Sequence, residues 1–269
     1  MMPRVRTVAG RASSLFAASV CALMMSVATA ADSPPDLSGI WTWDREANRG
    51  AGRGLQLWPQ DPPFTPEARE KVAAYQALVR PTGDTPGGWC VGYGMPTSTL
   101  SSGGYPLEII QRPEQITMIH EAHNEIRRIY LDERKNTDPK DLIPTRNGFS
   151  VGRWEGDTLI VETTMLKEAV DQSAAHSDEA HILEKYWLSR DAKGRKILNL
   201  ELTLTDPRFY TKPVTVRRTW VAAEPGTRML DYECNEPAWE DHLRKLAEEA
   251  QKNEESSTAA AQAAGADAR

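Results

Sequence analysis

From residue 108 to residue 234 the chain repeats one pattern: short runs of alternating apolar and polar positions, separated by turn residues. In Arg195 to Thr205, Leu198, Leu200, Leu202 and Leu204 share one side while Asn199, Glu201, Thr203 and Thr205 share the other. Ile116 and Met118 do the same against Thr117 and Glu121. A period of two sends successive side chains to opposite faces of a strand, so each run is buried on one face and wet on the other. Strands are therefore predicted over 36–43, 108–112, 115–121, 125–131, 148–154, 158–164, 181–190, 195–205, 214–222 and 229–234. Pro113-Glu114, His123-Asn124, Glu155-Gly156-Asp157 and Asp191 to Gly194 supply turns. The links between strands are too short for crossover helices, which predicts an antiparallel meander. About ten half-buried strands leave raw edges unless the sheet closes into a barrel or folds into a two-layer sandwich.

Two segments carry a helical period instead. Thr65-Pro66-Glu67 has the chemistry of a helix start, with a capping hydroxyl, a proline in the first turn and an acid beside the positive end of the dipole. Ala68, Val72, Tyr75 and Val79 recur at helical spacing with Leu78 alongside, and Pro81 ends the run. Near the C-terminus, Trp239, Leu243, Leu246 and Ala250 form one stripe, which predicts a surface helix over 238–255. A partner subunit is the alternative cover for that stripe. Residues 256–269, Ala-rich without a large apolar side chain, read as a disordered tail. Between the two helical segments, Gly83 to Pro106 is rich in Gly, Ser, Thr and Pro and carries Trp89, Tyr93 and Tyr105. A loop of that length inside a compact domain is a candidate binding loop.

The first thirty residues stand apart from the fold. Arg4, Arg6 and Arg11 precede an apolar run from Leu15 to Val27, and Ala28-Thr29-Ala30 suits signal cleavage. This is the layout of a secretory signal peptide, and it predicts a periplasmic or secreted protein with one domain over 31–237. Removing those three arginines takes the formal net charge from −6 to −9. No basic cluster remains, which argues against nucleic acid and anionic membrane surfaces as partners, and no membrane span is expected. Cys90 and Cys234 survive cleavage; in an oxidising compartment they read as a disulfide, with two buried thiols as the alternative.

Gly39-Ile40-Trp41 resembles the Gly-x-Trp signature of lipocalins and other calycins, in which the Trp closes the barrel floor beside an Arg from a late strand. That resemblance implies a calycin-like barrel, with Arg217 or Arg218 as the arginine. The helix and loop over 65–106 depart from it, standing where a lipocalin has its second strand. The chain also resembles a family of secreted, mostly uncharacterised bacterial proteins. The likeness rests on Gly94-Met95-Pro96, Arg127 to Asp132, Gly152 to Leu159, His176-Ser177 and Asp206 to Pro213, and Val214 stands where Trp is expected. This resemblance spans most of residues 36–237 and implies that Cys90 pairs with Cys234.

Candidate chemistry is sparse. His120-Glu121-Ala122-His123 approaches metal-ligand spacing, but on a strand His120 and His123 point apart, so no metal site is expected. His120 is expected on the inner face with Ile116 and Met118, as a candidate general base, with His123 solvated in the turn. His176 to His181 concentrates titratable groups, with His176 and either Asp178 or Asp171 as a candidate acid–base pair. The chain has no Gly-x-Ser-x-Gly elbow, phosphate loop, dinucleotide glycine motif or haem-attachment motif, so no cofactor is expected. One of Arg127 and Arg128 must face inward and needs a carboxylate, with Glu184 and Asp157 as candidates. Trp89, Tyr93, Tyr105, Arg128, Tyr130 and His181 are the candidate ligand-binding residues. Together these features predict a barrel that binds a small apolar or aromatic molecule, or alternatively a cofactor-independent lyase, isomerase or hydrolase using histidine acid–base chemistry at the barrel mouth.

Overall fold

The computed structural model describes residues 33–43, 58–100 and 104–266. The expected leader and the charged stretch Asp44 to Gly54 lie outside the described residues. Nine strands follow one another around a closed barrel: β1 (Gly39–Trp43), β2 (Leu107–Gln111), β3 (Gln115–His120), β4 (Glu125–Tyr130), β5 (Phe149–Glu155), β6 (Thr158–Thr164), β7 (His181–Arg190), β8 (Lys196–Thr205) and β9 (Val214–Ala222). β1 closes the ring by pairing with both β2 and β9. The alternation thus resolves into a closed barrel in which each described strand has a neighbour on both sides.

Two strand expectations change. Met229 to Cys234 is not a strand but an irregular strap; the β1–β9 pairing has already filled the edge it would have joined. One neighbouring pair is parallel, β4 with β5, where Ile129 faces Ser150 and Tyr130 faces Val151. Parallel neighbours require the chain to return to its starting end. Residues 131–148 make that return, with short 3-10 turns at Glu133–Asn136 and Pro139–Asp141. The other pairings are antiparallel. The β5–β6 hairpin turns on Gly156, whose φ of +58° suits a residue without Cβ.

The leucines of β8 are buried, and Leu198 and Leu200 sit opposite Trp220 and Arg218 of β9. Trp41, Ile109, Met118, Ile129, Val161, Ile182 and Tyr186 fill the rest of the interior. The indole of Trp41 donates to the carbonyl of Leu37, and Lys196, not an arginine, lies over its ring. Arg218 is the buried late-strand arginine, stacked on Trp43 and Trp220, and Arg217 points out to Glu201.

The inward arginine of β4 is Arg127, not Arg128, which is exposed. Its frame follows Ile129, which is buried, rather than Ile126, which is not. Arg127 forms a bidentate pair with Glu184 of β7 and also donates to Ser150 and Thr163, which hydrogen-bond to each other at 2.9 Å. Tyr186 completes the network by donating to Glu184 at 2.7 Å. Both ionic side chains are almost wholly removed from water, 2% and 0% exposed. Such a pair is tolerated only because each remaining polar atom finds a partner.

α1 (Pro66–Val79) begins as its chemistry predicts, with Thr65 Oγ1 accepting from the Ala68 amide. Ion pairs Arg208–Glu67 and Lys71–Glu168 fasten it to the loops after β8 and β6. α2 (Thr97–Leu100) is a single buried turn, and Arg218 donates to its Thr99 carbonyl. α3 (Asn235–Ala266) begins before and runs well past the expected 238–255, so residues 256–266 are helical rather than a disordered tail. Alanine has the highest intrinsic helix propensity, which favours the continuation of the helix through Ala259 to Ala264. Its Trp239, Leu243 and Leu246 remain exposed, and among the described residues no helix is long and apolar enough to cross a membrane.

Candidate functional site

One end of the barrel gathers the long connections: β1–β2, which carries α1 and α2, and the loops after β6 and β8. The segment from residue 83 to residue 94 lies there and is held at several points. Glu125 accepts from the amides of Tyr93 and Gly94 at 3.0 and 2.8 Å. Arg146 donates to the carbonyls of Gly92 and Tyr93 and forms a bidentate pair with Asp171. Gly94 has a φ of +71°, and a Cβ there would lie 2.5 Å from the Arg146 carbonyl oxygen, so the close approach needs glycine.

A covalent staple completes the attachment. Cys90 and Cys234 form a disulfide across 144 residues. In the chain-entropy model a loop of that size stabilises the fold by about 5 kcal/mol. The bridge draws the strap after β9 over the β3–β4 turn, where Glu121 accepts from the Leu230 amide and Asn124 donates to the Tyr232 carbonyl. Tyr93, His123 and Tyr232 meet in series at 4.9 and 4.8 Å between ring centres, the first contact edge-on and the second tilted, and Tyr105 meets Tyr232 edge-on. His123 is thus part of an aromatic row rather than a solvated turn residue, and burial lowers its pKa.

Between α1 and this fastened segment lies a cleft of about 540 Å³. Tyr75, Val79 and Arg80 of the helix region form one side, Asp84 and Pro86 the rim, and Tyr93 and Asp171 the far side. Burial, followed by the charge of Asp171, raises the Tyr75 hydroxyl's pKa, so that group is a neutral hydrogen-bond donor near neutral pH. The volume falls within the range of small-molecule sites.

Of the expected ligand-binding residues, Tyr93 lines the cleft. Trp89 lies beside it, 70% exposed, with its indole donating to Asp84 at 3.3 Å. Tyr105 belongs to the aromatic row. The remaining three are elsewhere: Arg128 is on the outer face of β4, Tyr130 stacks on Phe149 under Arg134, and His181 lies 3.4 Å from Glu162 on the barrel exterior. Their alternation places them opposite the inward residues Arg127, Ile129 and Ile182. Tyr75, Arg80 and Asp84 are cleft residues that sequence reasoning missed, and Asp171, expected only as a partner for His176, lines the cleft instead. Tyr75 carried a signal, as the one polar-tipped side chain in the α1 stripe.

The candidate acid–base groups are not brought together. His176 is fully buried, and its Nδ1 lies 3.0 Å from the Ala174 carbonyl. Asp178 is exposed and pairs with Arg208 instead. His120 faces inward as expected, 2% exposed, and among the described residues its Nε2 has no hydrogen-bond partner. Burial, with Arg127 and Arg218 adding to it, pushes its pKa down to about 3. Among the described residues no group of three His, Cys, Asp or Glu side chains is placed to hold a metal ion. Comparison of the chain with protein-family models, with curated proteins and with solved structures gave no match.

Proposed function

We propose that this is an exported barrel protein that binds a small, ring-bearing molecule in the cleft between α1 and the segment 83–93. The observation that carries the reading is the cleft itself, about 540 Å³ with tyrosine rings on both sides. Its far wall is held by a disulfide, by Glu125 and by Arg146, so little ordering remains for a ligand to impose. Export is supported by the leader-like first thirty residues and by the disulfide, which persists in oxidising compartments. The test is native mass spectrometry of protein taken from its host, with a thermal-shift screen of ring compounds. A bound small-molecule mass, lost in Tyr93→Ala, is expected. Ligand-free protein together with a flat screen would defeat the reading.

A second reading keeps a cofactor-independent proton transfer inside the barrel. It rests on His120, whose buried, neutral Nε2 is available as an acceptor. Turnover of candidate substrates that survives unchanged in His120→Ala would reject it.

A further inference from the structure

The cleft proposed above as a binding site also carries a charge pattern that narrows its ligand. Arg80 is the C-cap residue of α1, and its backbone amide closes on Gln76. Four residues on, past the turn at Gly83 with its φ of +72°, stands Asp84. Both line the cleft, yet they do not pair with each other, and among the described residues neither forms an ion pair with any other group. Asp171, the other carboxylate of the lining, differs: its two oxygens are taken by Arg146 at 3.0 and 3.2 Å.

Asp84 is held in place without being neutralised. One oxygen accepts from Thr82 Oγ1 at 2.6 Å, the other from the Trp89 indole at 3.3 Å. Its amide in turn donates to Thr82 Oγ1. Each carboxylate oxygen keeps a free acceptor site, and the Arg80 guanidinium keeps its donors. The cleft thus presents one cation on its helix side and one anion on its rim, with the rings of Tyr75 and Tyr93 in the same lining. A ligand of single charge meets attraction from one group and repulsion from the other.

We infer that the cleft takes a zwitterion bearing an aromatic ring, of the α-amino-acid type, with its ammonium at Asp84, its carboxylate at Arg80 and its ring against Tyr75 and Tyr93. The inference rests on the cleft being a binding site, and the test separates the two claims. Three compounds share a ring and chain length: L-phenylalanine, phenethylamine, which lacks the carboxylate, and 3-phenylpropionate, which lacks the ammonium. Each is titrated into the nitrogen-15-labelled protein, following backbone amide shifts at residues 80–93. Phenylalanine is expected to bind tightest, with each missing charge costing about two- to five-fold in affinity, as for exposed ion pairs. Asp84→Asn should weaken phenylalanine and phenethylamine by that factor and leave 3-phenylpropionate no weaker, since it loses only a repulsion. Arg80→Gln should do the reverse, weakening phenylalanine and 3-phenylpropionate only. Both sites are at the surface, and an unchanged Tm confirms the fold. If all three compounds move the cleft amides with equal affinity and the variants are indifferent, the zwitterion inference falls while the binding cleft stands. If none of them moves those amides, both claims fall.

Discussion

Replacing Glu184 by Gln removes one charge from the barrel interior and leaves its partner behind. Arg127 would keep Ser150 and Thr163 as acceptors but lose the only carboxylate in its network. Breaking a buried pair by removing one partner costs about 3–5 kcal/mol, because the surviving charge stays out of water. For a domain of this size about 2–4 °C of Tm is lost per kcal/mol, so Glu184→Gln should melt roughly 6–20 °C lower. Removing both charges together has a different outcome. In Arg127→Leu/Glu184→Leu, Ser150 and Thr163 retain each other at 2.9 Å, and the Tyr186 hydroxyl is the group left orphaned. Adding Tyr186→Phe removes that orphan too. The triple variant should therefore recover most of the loss, since apolar replacement of a whole buried network is often neutral or stabilising. Urea unfolding of the wild type, the single and the triple variant measures each value. A single variant within about 1 kcal/mol of wild type, or a triple variant worse than the single one, would refute the idea that uncompensated charge sets the cost.

Other outcomes follow from the same structure. Burial holds the folded-state pKa of His120 down at about 3, against 6.5 for an exposed histidine, so the unfolded chain binds the extra proton first. Its stabilising contribution is complete above pH 6.5 and is lost as pH falls towards 3, by about 4–5 kcal/mol in all at 1.36 kcal/mol per pKa unit. Urea unfolding at pH 7 and pH 4 should show a smaller difference in His120→Leu than in wild type. Gly94→Ala forces a Cβ against the Arg146 carbonyl at positive φ and should cost about 2 kcal/mol or more, read as a Tm drop. Cys90→Ala/Cys234→Ala should lose up to about 5 kcal/mol and weaken any cleft ligand, measured by denaturation and titration of the same samples.

Several features were legible before any coordinates because they rest on local rules. Leu198 to Leu204 announce a half-buried strand wherever it lies, and Thr65-Pro66-Glu67 announces a helix start. The demand of an inward arginine for a carboxylate pointed to Glu184 or Asp157, and Glu184 is the partner. Which arginine turned inward was not legible: Glu125 to Tyr130 carries an isoleucine in each frame, and only packing against neighbouring strands favours Ile129 over Ile126. Met229 to Cys234 looks like a strand because it alternates, but alternation cannot report that no edge remains. The cleft was least visible. Tyr75, Asp84, Tyr93 and Asp171 come from separate segments, and their convergence depends on the ion pairs of α1 and on the Arg146–Asp171 contact.

The pairing of Trp41 with Ala222 joins the first barrel strand to the last. A nascent or truncated chain that stops short of β9 exposes the flanks of β1 and β8 together, each with a row of unsatisfied amides and carbonyls. Those flanks are templates for another molecule's strand, so the incomplete chain is the sticky species and the finished one is not. Protection against self-association therefore arrives in a single late step, and any cell that makes this protein has to shield it until its ninth strand emerges.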